Sequence, residues 1–181
     1  MLKIATDGAA DIPTGWEKEY DLKVIPINIH FGEKTFIQNV DMDTEGFYRE
    51  VEHNKTFPKT SQPSPHQFVE FYRNNYEKGD TILSIHVTSK LSGTYASCEA
   101  AAKELKGEYN IIPFDSQGGS MGIAFMCRTA RKMERAGKSV DEIVKALEAL
   151  RGQVSIILSL DTLEFAKRSG RVGALSAALA S

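Results

Sequence analysis

An α/β fold built on a mostly parallel sheet flanked by helices is predicted by two features of this 181-residue chain. Short β-branched runs alternate with longer stretches of helical apolar spacing, the pattern of strands joined by helical crossovers. The segments that follow the strands are rich in hydroxyl, acidic and glycine residues, as suits the carboxyl ends of strands in an open parallel sheet. A content of 41% hydrophobic and 25% charged residues is ordinary for a globular chain that buries a core.

The elements follow in order. Strands are expected at 2–6, 22–31, 81–87, 110–114 and 154–160, where β-branched and apolar residues cluster. Gly32 supplies a turn that folds 35–40 back on 22–31 as an antiparallel flap. Helices are expected at 13–20, 44–51, 65–76, 94–105, 120–136, 140–150 and 161–169. Thr44 precedes a helix with an acidic first turn, and Ser139 with Glu142 has the spacing of a capping box. Between the flap and the third strand, 57–65 holds three prolines, and Pro63 and Pro65 keep it extended. Composition shifts after Gly152, and the small-residue tail 173–181 has no cap or charged end. The reading is an N-terminal α/β domain at 1–152 and the beginning of a second α/β domain at 153–181, whose remainder is absent from this chain.

Several function classes are disfavoured. A net charge of -2 gives no field to attract nucleic acid. No apolar run approaches the roughly 20 residues that span a bilayer, and Lys3 and Asp7 interrupt any secretory segment, so a cytoplasmic protein with no membrane insertion is expected. Cys98 and Cys127 read as free thiols on helices, and His30, His53, His66 and His86 lack the spacing of a zinc site.

Two hydroxyl-rich strings stand out: Thr60-Ser61-Gln62-Pro63-Ser64, and Thr88 to Thr94 directly after an apolar strand. With only Lys90 as a cation, they suit a small anionic head group gripped by hydrogen bonds. The loops after the first, third and fourth strands, at 6–11, 88–94 and 115–120, should converge on one crevice with Ser92 and Thr94 at a helix N-terminus. Ser92 as a simple helix cap, worth about 1 kcal/mol, is the ordinary explanation. Asp7, Asp11 and Asp115 read as magnesium ligands or, more plainly, as caps and turns. A serine hydrolase with Ser92 as nucleophile, His86 as base and Asp115 as orienter is the alternative, although Lys90-Leu91-Ser92-Gly93-Thr94 lacks the first glycine of a nucleophile elbow. In 167–171, Gly170 permits a left-handed turn that aims Arg171 away from the helix end.

These strings resemble the DegV family in order and spacing: Thr6-Asp7 with Ala10-Asp11-Ile12-Pro13, Val40-Asp41, Thr60-Ser61-Gln62-Pro63-Ser64, Leu91-Ser92-Gly93-Thr94-Tyr95-Ala96-Ser97, Asp115-Ser116, and Asp161-Thr162-Leu163-Glu164 leading to Arg168-Ser169-Gly170-Arg171-Val172. The resemblance covers the whole chain. It implies a non-enzymatic fatty-acid-binding protein, similar to the FakB subunit of fatty acid kinase. Such a protein buries a long-chain acyl group and presents the carboxylate to a separate kinase catalytic subunit, which makes acyl phosphate for phospholipid synthesis. It further implies that Thr60 or Ser61 and Ser92 hold the carboxylate, that Gly93 and Thr94 support it, and that Arg171, or secondarily Arg168, assists the head group or the kinase contact. No cofactor beyond the bound fatty acid, and no metal, is implied. Two departures stand out. Gly8 replaces the serine usual in the family's first motif, and members run longer, with a second α/β domain that contributes a histidine and much of the acyl tunnel.

Overall fold

The computed structural model describes residues 1–53, 56–157, 164–171 and 173. Its centre is a four-stranded parallel sheet in the order β2-β1-β6-β7, formed by β1 (Lys3–Asp7), β2 (Leu22–Ile25), β6 (Thr81–His86) and β7 (Asn110–Asp115). Strands β1 and β6 are central and buried on both faces, which is why they read as continuous apolar runs. Side-chain alternation divides the core in two. Ile4, Leu83 and Ile85 meet Ile123, Met126, Ile143 and Leu147 of α5 (Met121–Arg135) and α6 (Val140–Arg151). On the opposite face, Ala5 and Ile82 meet Phe68, Tyr72, Cys98 and Leu105 on or beside α3 (Pro65–Asn75) and α4 (Thr94–Glu104). The predicted α/β fold, a parallel sheet flanked by helices, is therefore present.

The expected strand at 22–31 is two strands. Pro26 has no N–H to continue a ladder, so β2 stays in the parallel sheet while β3 (Asn28–Phe31) leaves it. Strand β3 is the middle of a second, antiparallel sheet between β4 (Lys34–Ile37) and β5 (Lys59–Ser61). Gly32, at φ +61°, makes the expected flap turn. The flap packs Ile29 and Phe31 with Met42 and, from α2 (Thr44–His53), Phe47 and Val51. The short strand β5 lies inside the segment read from sequence as a loop.

The capping box of α6 forms as expected: Glu142 N–H donates to Ser139 Oγ, and Ser139 N–H donates to Glu142 Oε2. A second box, Ser64 with Gln67, opens α3 after Pro63, with Pro65 in the first turn. Helix α1 is short (Trp16–Glu19), and α7 spans Glu164–Arg168. The expected strand at 154–160 is corrected in its first half, since 154–157 form no strand; 158–160 lie outside the described residues. Residues 161–163 of the expected last helix, and most of the segment assigned to a second domain, also lie outside them. No helix among the described residues is long and apolar enough to cross a membrane.

Both cysteines are buried free thiols, and burial pushes the Cys127 thiol up to about 12, which leaves it unreactive near neutral pH.

Candidate functional site

The chain leaves the carboxyl end of β1 toward β2 on one side, and that of β6 toward β7 on the other. The strand order therefore reverses between β1 and β6, and the crevice above their ends is where open α/β sheets bind ligands. Asp7 closes β1 at this point and is fully buried. Its Oδ1 accepts from Ala9 N–H at 2.9 Å, and its Oδ2 accepts from Val87 N–H at 3.0 Å and pairs with His86 Nδ1 at 2.9 Å. The chain of contacts continues from His86 Nε2 to Ser84 Oγ at 2.7 Å, to Tyr72 OH at 2.8 Å and to Cys98 Sγ at 3.1 Å. Burial disfavours a charged His86 ring, but neighbouring Cys98 and the hydrogen bond with Asp7 outweigh it and raise the imidazole from 6.5 to about 9.

From β6 the chain turns through Thr88, whose carbonyl accepts from Leu91 N–H at 3.0 Å and Ser92 N–H at 3.2 Å. The Ser92 hydroxyl lies 2.8 Å from Thr94 Oγ1 and accepts from Thr94 N–H. Ser92 is half-buried, Thr94 is buried, and Gly93 rather than Ser92 occupies the cap position of α4. A β-carbon on Gly93 would lie 2.8 Å from Gln62 Nε2, so Gly93 and the Gln62 side chain are close neighbours. The Gln62 side chain thus rests on the turn that carries Ser92, which brings the two hydroxyl-rich strings together.

Within the first string the two hydroxyls differ. Thr60 is exposed, at the position opposite Ile29 on β3. Ser61 is engaged by the flap: its Oγ lies 2.9 Å from His30 Nε2 and accepts from Asn28 Nδ2 at 3.3 Å, while His30 Nδ1 meets Thr35 Oγ1 at 2.9 Å. The sequence reading gave His30 and Asn28 no role, and only the β3–β5 register reveals it.

Arg171 is half-buried and donates to the Ser169 carbonyl in its own turn. Among the described residues it makes no bond to either string. Arg168 pairs with Glu164 and lies over the Phe57 ring at 5.3 Å, close to the start of the first string.

The hydrolase constellation is not assembled. His86 is sealed against Asp7 and Ser84, and Asp115 accepts from Ser89 Oγ at 2.6 Å and from Gln117 N–H. Among the described residues Ser92 therefore has neither a base nor an orienter, and the triad-like Asp7, His86 and Ser84 are each fully buried, out of a substrate's reach. Asp7 and Asp115 are engaged in these bonds, and the described residues contain no cluster of His, Cys, Asp or Glu suited to a metal.

At Gly8, a β-carbon would lie 1.7 Å from Gln38 Oε1. The Gln38 amide fills that space, donating to the Gly8 carbonyl at 3.1 Å and accepting from Ile27 N–H at 3.4 Å, and so latches the flap to the β1 loop. Gly8→Ser is expected to expel Gln38 and cost about 1 kcal/mol through the lost hydrogen bonds. In a Gln38→Ala background the same change should be nearly neutral. Urea unfolding of the four-member cycle checks this, and additive costs would remove the steric link.

A family model described as "Uncharacterised protein, DegV family" matches residues 1–181. Protein DegV of Bacillus subtilis is 30% identical over 181 residues, covering 99% of this chain and 64% of that protein. A DegV domain-containing protein of Deinococcus radiodurans is 31% identical, covering 98% and 63%. Among solved structures, a fatty-acid-binding DegV family protein from Thermus thermophilus matches with a TM-score of 0.85 and 32% identity, over 99% of this chain and 64% of that one. DegV of Bacillus subtilis, described as a fatty acid binding protein, matches with a TM-score of 0.84 and 27% identity over the same shares. The chain spans a little under two thirds of the length of these relatives. With the family model matched from its first residue to its last, this chain belongs to the DegV family.

Proposed function

We propose that this protein binds a long-chain fatty acid, holding the carboxylate at the crevice between the Thr60–Gln62 string and the Ser92–Thr94 turn. The observation that carries this reading is the seating of Gln62 on Gly93, which sets an exposed Thr60 and a half-buried Ser92 in neighbouring segments. In this role Thr60 and Ser92 contact the head group, Thr94 and the Gly93 backbone support Ser92, and Ser61 holds the flap through His30. Arg171 serves the head group or a partner. The fatty acid binding named for the Thermus thermophilus and Bacillus subtilis structures supports the ligand class.

The division of labour is physical. Burial of a sixteen-carbon tail contributes about 0.8 kcal/mol per methylene, on the order of 10 kcal/mol before ordering costs. The tail thus supplies affinity and the hydroxyls supply orientation. A clamp of neutral hydroxyls also leaves a carboxylate oxygen nucleophilic, as presentation to a separate kinase subunit requires. On this reading the protein is a cytoplasmic, FakB-like carrier without catalysis of its own, feeding acyl phosphate formation for phospholipid synthesis.

Mass spectrometry of an organic extract from the intact natural protein should detect a stoichiometric long-chain fatty acid, and Ser92→Ala should weaken its binding about tenfold, the worth of one hydrogen bond to a charged group. An extract without lipid, from a protein that also fails to take up added palmitate, would remove the carrier reading.

A further inference from the structure

The fully buried chain from Asp7 to Cys98 has no part in the clamp as described, yet His86 lies only two residues before Thr88, whose carbonyl holds the Ser92 turn. Replacing a buried ion pair with well-packed apolar groups is often neutral or stabilising, so stability alone gives no reason to keep one. Direction does, because a carboxylate with several donors fixes where each donor lies. Asp7 takes the N–H of Ala9 on its own loop, the N–H of Val87 on the other, and the His86 ring, at 2.9, 3.0 and 2.9 Å. One side chain thereby ties together the two loops that part at the reversal of strand order. From Val87 the path to the clamp is short: the next residue is Thr88, and its carbonyl receives the N–H groups of Leu91 and Ser92. His86 is held from behind by Ser84, which Tyr72 anchors to α3, and the Phe68 ring stands edge-on to it at 5.1 Å.

We propose that the sealed Asp7–His86 pair is a positioning device for the clamp: it sets the turn from Val87 to Ser92, and so the place of the Ser92 hydroxyl, which makes Asp7 and His86 positioning residues for selection of a carboxylate head group. The inference rests on the ligand reading above. An aliphatic chain alone does not sense where Ser92 sits, whereas a carboxylate does. The effect therefore belongs to the preference between ligands with the same tail and different heads.

The test uses the intact protein and compares its affinities for palmitate and hexadecan-1-ol. His86→Leu and Asp7→Asn should each lower the palmitate-to-hexadecanol preference about tenfold, with hexadecanol, whose neutral head bonds Ser92 more weakly than a carboxylate, losing far less affinity than palmitate. His86→Asn, whose amide still reaches toward Asp7, should restore most of the preference. In a Ser92→Ala background these changes should add nothing, because the group they position is gone. Either Asp7→Asn or His86→Leu suffices if the other fails to fold. Equal losses for both ligands, an unchanged preference, or effects additive with Ser92→Ala would overturn the positioning role while leaving the ligand reading intact. A wild-type protein that binds neither compound would overturn both.

Discussion

Asp7→Ala is expected to lower the free energy of unfolding by about 3–5 kcal/mol, the range for removing one partner of a buried ion pair. The total for a domain is only about 5–15 kcal/mol, so the loss should appear as a large fall in the urea midpoint at pH 7. It should be large because both Asp7 and His86 are sealed, and water cannot replace the bonds to His86, Ala9 and Val87. The same pair predicts a pH dependence. His86 holds its proton more tightly in the folded protein than in the unfolded chain, with a value of about 9 against 6.5. Its contribution is therefore complete below pH 6.5 and disappears as pH rises through 9. Its size is on the order of 3 kcal/mol, at about 1.4 kcal/mol per tenfold difference in proton affinity.

Few other groups surround that ring. Asp7 faces it from β1, Ser84 from its own strand, and Cys98 from α4. Tyr72, on α3, is raised well above the ordinary phenol range by burial, and Cys127, which senses Asp7 from α5, by the same cause. In Asp7→Ala the alkaline loss should shrink, since the bond that helps hold the ring's proton is gone while Cys98 and the burial of the ring remain. Unfolding curves for both proteins between pH 6 and 10 check this. A wild-type midpoint that stays level across the range, or a variant within about 1 kcal/mol of wild type, would refute the account.

What the sequence disclosed, and what it concealed, follows from how local each cause is. Strands β1 and β6 were legible because burial on both faces demands unbroken apolar runs, and the flap because Gly32 permits a turn at positive φ. The break at Pro26 was missed, with 22–31 read as one strand, although a proline inside a β-branched run argues against a continuous one. Strand β5 was hidden because three residues among prolines carry no periodicity of their own; only pairing with β3 defines it. The two hydroxyl-rich strings stood out in the sequence, but not the difference between Thr60 and Ser61, which depends on His30 across the ladder. The bond between Asp7 and His86 joins residues 79 positions apart, and no local pattern reports such a pairing. For the same reason His86, offered as a base for Ser92 only in the hydrolase alternative, belongs instead to Asp7.

Arg131 is the other residue whose position conceals its role, and Arg131→Leu is expected to cost about 3 kcal/mol or more. In sequence it is one cation among several on an amphipathic helix; in the fold it is 1% exposed. Its Nε donates to the Tyr20 carbonyl at 2.8 Å, Nη1 to the Leu2 carbonyl at 2.9 Å and to Glu134 at 3.0 Å, and Nη2 to the Asp21 carbonyl at 3.1 Å. One guanidinium thus joins the residue before β1, the turn between α1 and β2, and α5. Leucine restores volume but leaves three carbonyls without these donors, each worth about 1–3 kcal/mol where burial excludes water. Arg131→Lys separates charge from geometry, since an ammonium retains the positive charge but cannot present the planar fork that reaches three carbonyls in different directions. Lysine should therefore recover only a minor part of the loss in urea unfolding. Near-complete recovery would mean that charge beside Glu134 and Asp21, rather than the fork, holds the start of the chain to α5.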